Sequence, residues 1–149
     1  MIEEGVGIAA ALCRRFEGFR AAPYLCPAGV ATIGYGTTRY PDGRSVGLRD
    51  TPITRERADV LLMHDLRAAF LPAVLRLCPG IDTAGRLAAV LDWTYNLGPG
   101  NLAASTLRRR IAAGRWDDVP TELRRWNRGG GRVLPGLVRR REAEAALLG

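Results

Sequence analysis

The feature that most constrains the fold is a change of hydrophobic pattern near Gly18. Before it, apolar residues recur at helical spacing over residues 4–16, which predicts an amphipathic helix. After it, the chain from 24 to 46 consists of short runs that are broken by Pro27, Gly29, Gly34, Gly36, Pro41 and Gly43. This punctuation predicts a small antiparallel sheet of two or three strands, with a turn at 41–43.

The remainder of the chain returns to helical spacing. Residues 55–77 predict one long helix, which Pro72 is expected to kink or to split. A very apolar segment then follows a cap at Asp82 or Thr83 and ends at Gly98, so it is the predicted central core helix. Further predictions are helices from Ser105 to about 113, over 116–126 and from Pro135 onward, with a flexible break at 129–131.

These patterns predict an α+β fold in one domain over residues 1–149. A sheet-bearing lobe is expected over about 17–50 and a helical lobe over about 55–149, with the helix at 4–16 packing onto the helical lobe. The longest early apolar run, residues 6–13, is far shorter than the ~20 residues that a membrane span needs. We therefore expect neither a transmembrane segment nor a signal peptide.

Charge and cysteine content limit the classes of partner. All 22 cationic residues are arginine, and the net charge is +7, so the surface should attract polyanions such as nucleic acid, anionic lipid or cell-wall polymer. Three cysteines without paired spacing predict neither a disulfide framework nor a zinc site. Cys13 and Cys78 are expected to be small buried residues, and His64 to be a surface or packing residue. The arginine runs at 108–110, 124–125 and 139–141 are expected to be solvated helix faces.

Three side chains of reactive type lie where the first helix meets the predicted sheet: Glu17, Cys26 and Thr32. Cleavage of a glycosidic bond needs a carboxylic acid on one face of the sugar and a group that activates water or attacks carbon on the other. The negative end of a helix dipole disfavours a carboxylate at Glu17, which favours the protonated acid. On spacing alone, however, a solvated glutamate, a buried cysteine and a strand threonine are the simpler interpretation.

The surrounding motif is much more specific than the spacing. Residues 17–36 read Glu-Gly-Phe-Arg, then Tyr24, Cys26 and Gly29, then Thr-Ile-Gly-Tyr-Gly. This stretch resembles the phage-type lysozymes, or endolysins, of glycoside hydrolase family 24. Asn96-Leu97-Gly98, Ser105-Thr106-Leu107 and the stretch from 126 to 141 resemble later motifs of the same family, so the resemblance covers nearly the whole chain.

The resemblance implies a lysozyme-like fold, with an active-site cleft between the two lobes, and roles for individual residues. Glu17 would be the general acid, Cys26 would occupy the position usually held by an aspartate, and Thr32 would position water or substrate. The expected substrate-binding residues are Tyr35, Gly36, Asn96, Trp126 and Asn127. Thr37 replaces the histidine that usually follows Gly-Tyr-Gly.

The function implied is a muramidase that hydrolyses the β-1,4 bond between N-acetylmuramic acid and N-acetylglucosamine in peptidoglycan, for host lysis. Two alternatives stay open: an arginine-rich module that binds nucleic acid, and a lytic transglycosylase. No metal and no cofactor are implied, and we expect a monomer without a specific nucleic-acid partner. The arginines are expected to contact an anionic wall or membrane surface. Made in the host cytoplasm, the protein would reach the periplasm or cell wall through a holin-type lesion. A disulfide between Cys13 and Cys26, if it formed, would block the active site.

Overall fold

The computed structural model describes all 149 residues. Helix α1 (Ile2–Glu17) leads into the antiparallel strands β1 (Arg20–Leu25) and β2 (Ala31–Gly34). Helix α2 (Arg55–Asp65), a π-helical stretch (Leu66–Phe70) and α3 (Leu71–Leu77) follow without a break. The chain continues through α4 (Ala84–Leu97), α5 (Pro99–Ala104), α6 (Thr106–Ala112), a 3₁₀ turn (Trp116–Asp118), α7 (Val119–Arg124), the short strands β3 (Arg128–Gly129) and β4 (Arg132–Val133), and α8 (Pro135–Ala145).

Helix α4 is the centre of the core, as the apolar run predicts. Every residue from Leu87 to Thr94 is buried, and Thr83 caps the helix by accepting a hydrogen bond from the backbone of Arg86. Helix α1 packs along α4. Gly5 makes that approach possible, because a Cβ atom at residue 5 would lie 2.8 Å from Leu87 Cδ2. The close packing fixes the direction in which α1 delivers its last residue, Glu17.

The helical run at 55–77 does not break at Pro72 itself, but a π-helical stretch just before it separates α2 from α3. The chain changes helix type there, and the backbone N–H of Leu71 donates to the carbonyl of Leu66, five residues earlier. Pro72 then lies in the first turn of α3, where its missing N–H costs little. The wider turn therefore accommodates Pro72, the residue at which the sequence pattern predicts a kink or a split.

The small sheet has two strands and a local irregularity. Arg20 lies opposite Gly34, whereas Tyr24 lies opposite Thr32, so the register shifts between these pairs. Single bridges beyond the strands extend the pairing to Thr37 and Ser45. The turn predicted at 41–43 is present, with the Gly43 N–H donating to the Tyr40 carbonyl.

Three local predictions were wrong. The region 116–126 is a 3₁₀ turn followed by α7 rather than one helix, whereas α4 does end at Gly98 as predicted and the unpredicted helix α5 follows directly. The flexible break predicted at 129–131 is the turn of the β3–β4 hairpin, where Gly130 and Gly131 both have positive φ angles. In α8, the run 139–141 was predicted to be a solvated face, but Arg140 and Arg141 are 3% and 0% exposed.

Two small two-stranded antiparallel sheets beside a mainly helical body give the α+β class that the sequence predicts. No helix combines the length and the apolar composition that crossing a membrane requires.

Candidate active site

Glu17 is the last residue of α1 and lies at the edge of a cleft. Gly18 ends the helix with a φ angle of 71°, which turns the chain toward β1. The cleft has a volume of about 660 Å³, and Asn96 and several residues of the α8 region line it together with Glu17. The glutamate side chain is 24% exposed, so it is held by the protein and is still open to a ligand.

The side chain that holds Glu17 comes from the other end of the chain. Arg140 Nη1 donates to Glu17 Oε2 at 2.5 Å, and Arg140 Nε and Nη2 donate to Asp92 at 2.9 and 2.8 Å. The Cys13 thiol donates to the same aspartate at 3.4 Å. Burial disfavours the charge on Asp92, but its hydrogen bonds from Arg140 and Glu144 hold its pKa below the usual value.

A second buried pair, Arg141 and Glu144, continues this network toward the cleft wall. Burial raises the pKa of Glu144 well above its usual value, and Asp92 nearby adds to the shift. Arg141 Nη2 donates to Glu144 Oε2 and to Asn96 Oδ1, both at 2.9 Å. Helices α1, α4 and α8 therefore meet in one polar cluster that positions both Glu17 and Asn96.

Gly36 allows the sheet to approach the glutamate. Its φ angle is 96°, and a Cβ atom there would lie 3.3 Å from Glu17 Oε1 and 3.1 Å from Tyr95 Oη. The Tyr95 hydroxyl donates to the Tyr35 carbonyl at 2.6 Å, which ties the end of β2 to α4. Oxygen Oε1 therefore faces Gly36 while Oε2 is held by Arg140.

Cys26 and Thr32 lie on the β1–β2 side, where the backbone organises them. The Cys26 N–H donates to the Val30 carbonyl at 3.0 Å, and Thr32 Oγ1 donates to the same carbonyl at 2.9 Å. A hydrogen bond from the Val30 backbone is the main cause of a Cys26 pKa below the usual value, and the Ala28 backbone and Thr32 add to it. The loop therefore favours the thiolate, which is the reactive form.

Tyr24 links the two sides electrostatically. Its pKa is raised first by burial and then by the charges of Glu17 and Cys26, while the Arg20 guanidinium, 4.1 Å from its ring centre, acts in the opposite direction. Glu17 and Cys26 therefore both lie within electrostatic reach of one phenol.

A second hollow, of about 490 Å³, begins on the other side of Gly36. Tyr95 and Gly36 line it, whereas Glu17 and Asn96 line the first cleft. The two hollows share no lining residue, but they are neighbours, because Tyr95 and Asn96 are consecutive in α4 and a Cβ atom at Gly36 would lie 3.3 Å from Glu17 Oε1. We refer to the two hollows together as the groove.

The expected substrate-binding residues divide into two groups. Asn96 and Gly36 line the groove. Tyr35 is 7% exposed, with its ring packed on Phe19. Trp126 packs edge-on against Trp93 and borders a separate hollow of about 400 Å³, and Asn127 lines neither half of the groove.

Sequence reasoning missed Asp92, Arg140 and Glu144. One signal was available, because Asp92 is the only charged residue in the mainly apolar run from Leu87 to Leu97. A carboxylate is almost never fully buried unless it is paired, so its presence there predicts a buried partner. The sequence gives no comparable sign that the partner is Arg140. The Cys13–Cys26 pairing is not formed, since both thiols are free and Cys13 is fully buried against Asp92.

The sequence profile of the phage lysozyme family matches residues 14–144. The chain belongs to the phage lysozyme family. Phage lysozyme membership confirms the resemblance seen in the motif, and it does not favour the nucleic-acid-binding alternative.

Individual phage lysozyme relatives support the same assignment. An endolysin of Acyrthosiphon pisum secondary endosymbiont phage 1 is 32% identical over 141 residues, covering 91% of both chains. An endolysin of Bacillus phage B103 is 35% identical over 136 residues, which is 91% of this chain but only 50% of the relative, so this chain spans about half the length of that protein. The solved endolysin from Escherichia coli O157:H7 phage FAHEc1 aligns with a TM-score of 0.82 at 31% identity, over 95% of this chain and 90% of that one.

Proposed function

We propose that this chain is an endolysin muramidase that hydrolyses the β-1,4 bond between N-acetylmuramic acid and N-acetylglucosamine. The observation that carries the proposal is the placement of Glu17, whose 24% exposed side chain lines a cleft of about 660 Å³ between α1, α4 and the start of α8. A glycan chain can lie along such a groove and present one glycosidic oxygen to the glutamate.

Glu17 acts as the general acid in this proposal. It protonates the leaving glycosidic oxygen, and Arg140 fixes the orientation of the carboxyl group through Oε2. Because Arg140 is itself held by Asp92, the glutamate keeps one position while the substrate enters. Asn96 and Gly36 then contact the glycan on either side of it.

Cys26 supplies the second group, and Thr32 orients the loop that carries it. A thiolate at Cys26 either attacks the anomeric carbon, which retains the configuration, or assists a water molecule, which inverts it. Proton NMR of the newly formed anomer on a defined oligosaccharide distinguishes these two courses.

Replacement of Cys26 by alanine should remove most activity, whereas Cys26→Asp should keep much of it. Wild-type activity in Cys26→Ala would mean that the thiol is only structural.

The decisive test of the hydrolase proposal is Glu17→Gln. This change keeps the size of the side chain and removes the transferable proton, so turbidity loss of a peptidoglycan suspension should fall by at least about 100-fold. Glu4→Gln, an exposed change in the same helix, is the matched control and should leave lysis unchanged. Full activity of a folded Glu17→Gln protein would overturn the proposal.

Mass spectrometry of the released muropeptides separates hydrolysis from transglycosylation. Hydrolysis adds the mass of one water, whereas a lytic transglycosylase leaves an anhydro sugar. The proposal expects the hydrated product. An anhydro product that still required Glu17 would assign the transglycosylase reaction instead.

The proposal extends to how the protein works in lysis. All arginines except Arg140 and Arg141 lie at least partly on the surface, and these cations support contact with an anionic wall or membrane surface. We further propose that the protein acts as a monomer, and that it reaches the wall from the host cytoplasm through a holin-type lesion.

A further inference from the structure

A second carboxyl group lies in the groove, on the far side of Gly36 from Glu17. Asp65 is the last residue of α2 and lines the 490 Å³ hollow together with Gly36 and Tyr95. The side chain is partly buried. The proposed chemistry of Glu17 and Cys26 gives this carboxyl no part.

No cation neutralises Asp65. Its one side-chain hydrogen bond comes from Thr37 Oγ1 at 3.3 Å, and no salt bridge includes it. Arg39 lines the same hollow, but its Nη1 donates to the Gly43 carbonyl at 2.7 Å. The other titratable groups around Asp65 are His64, whose charge acts on it only weakly, and the buried phenol of Tyr95 on α4.

Burial raises the pKa of Asp65 to about 6, and the hydrogen bond from Thr37 and the charge of His64 reverse only part of that shift. At neutral pH the group is therefore mostly ionised while it lacks a partner, an arrangement that costs folding free energy. Charged groups kept at such a cost are concentrated at functional sites.

The walls of this hollow fit a sugar ring. The rings of Phe70 and Tyr95 pack together with centroids 5.0 Å apart, and Tyr40 lines the same space. Asp65 directly precedes the π-helical stretch and Phe70 ends it, and both line the same hollow. Aromatic surface for the C–H face of a sugar and one strong acceptor for its hydroxyl or N–H groups are complementary to a pyranose.

We propose that Asp65 is a glycan-binding residue, whose carboxylate accepts hydrogen bonds from the hydroxyl or amide N–H groups of a sugar ring seated against Phe70 and Tyr95. The inference rests on the proposed function for its ligand class, and it assigns binding rather than bond cleavage to this half of the groove. Protonation of the carboxylate removes the acceptor charge, so glycan affinity falls as the pH drops through about 6.

The test measures binding separately from cleavage. Soluble, uncrosslinked peptidoglycan glycan strands are titrated calorimetrically into Glu17→Gln, Glu17→Gln/Asp65→Asn and Glu17→Gln/Asp59→Asn proteins, at pH 7.5 and pH 5. Asp59 is the matched control because it lies on α2, outside both halves of the groove, in a surface pair with Arg14. Loss of a charged hydrogen bond should raise Kd about tenfold for the Asp65→Asn protein at pH 7.5, and Asp59→Asn should leave Kd unchanged.

The pH dependence separates a binding role from a structural one. The Kd of the Asp65-containing protein should rise toward that of Asp65→Asn between pH 7.5 and pH 5, and the Kd of Asp65→Asn should stay flat. Equal Kd values at pH 7.5, no measurable binding by any of the proteins, or a pH dependence that persists in Asp65→Asn and therefore does not come from Asp65, would each overturn the inference. Failure of the hydrolase proposal appears separately, as an absence of lysis by the wild-type protein whatever the Kd values.

Discussion

Glu17 ends helix α1 and Cys26 lies in the loop after β1, and the protein holds these two side chains by different means. Cys26 and Thr32 are organised by one carbonyl, that of Val30, within a loop of a few residues. Glu17 is held by Arg140, more than a hundred residues away in the sequence, which Asp92 fixes in turn. The loop side of the site, Cys26 and Thr32, is thus held by local backbone contacts, whereas the acid side, Glu17 with Arg140 and Asp92, depends on tertiary packing. Substitutions on the two sides should therefore change the stability of the protein by very different amounts.

The largest effect on stability is expected from Asp92→Ala. The change leaves the Arg140 guanidinium, with a side chain only 4% exposed, without its main partner. Removal of one member of a buried pair costs about 3–5 kcal/mol, which for a chain of this size lowers Tm by roughly 10 °C. Calorimetric melting curves of the two proteins measure this change in Tm.

The matched control is Asp59→Ala, which breaks a surface pair with Arg14 whose side chains are 37% and 41% exposed. Exposed pairs contribute about 0–1 kcal/mol, so its Tm should stay close to that of the wild type. Equal Tm losses in the two variants would show that the acid side does not depend on the buried network.

A smaller loss of stability is expected from a substitution at Gly36, where the chain after β2 approaches Glu17. Gly36→Ala introduces backbone strain, because φ is 96°, and places a Cβ atom against Glu17 and Tyr95. Strain of this kind costs about 1–3 kcal/mol. Peptidoglycan lysis should also fall more than about tenfold, since the displaced Glu17 loses its alignment.

Gly114→Ala separates backbone strain from crowding against Glu17. Gly114 lies outside the groove, has a φ angle of 70° and has no atom within 4 Å of the added methyl group. Its stability loss should resemble that of Gly36→Ala, with lysis unchanged. Equal lysis by the two variants would mean that the approach of Gly36 to Glu17 has no catalytic consequence.

The contrast between local contacts and long-range packing also explains how much of the molecule can be predicted from the sequence. Helix α1, the turn at 41–43, the core helix α4 and the positions of Glu17, Cys26 and Thr32 follow from local patterns of apolar residues, glycines and prolines. The network around Asp92 does not, because α8 buries Arg140 and Arg141 on a face whose sequence resembles a solvated arginine run. Arg140 is recognisable as a buried residue only when α4 and α8 are known to be neighbours.

Replacement of Asp65 should have the opposite effect on stability, a gain rather than a loss. Because its pKa in the folded protein is raised to about 6 from 3.8, the folded state binds a proton more tightly than the unfolded state. Ionised Asp65 therefore destabilises the protein above about pH 6, and this cost shrinks as the pH falls and disappears below about 4. Asp65→Asn should stabilise the protein by about 1 kcal/mol at pH 7, a value reduced for partial solvent screening, and by nothing at pH 3.5.

Denaturant unfolding of both proteins at the two pH values measures this difference. Thr38→Val is a suitable control, because it changes an exposed side chain of the same hollow without removing a charge. A stability gain that is the same at pH 7 and pH 3.5 would show that the ionisation of Asp65 is not its cause.

The smallest effect on stability is expected from alkylation of Cys26, because its loop is held by backbone groups. The pKa of the Cys26 thiol is lowered, whereas burial raises the pKa of Cys78 to about 11 and that of Cys13 still further. Iodoacetamide at pH 7 should therefore add one group, at Cys26, and should stop lysis while changing the unfolding free energy by less than about 0.5 kcal/mol. Peptide mass spectrometry locates the adduct, and the Cys26→Asp protein should remain unmodified and active. An adduct at Cys78, or a large loss of stability, would show that the loop side depends on buried packing as the acid side does.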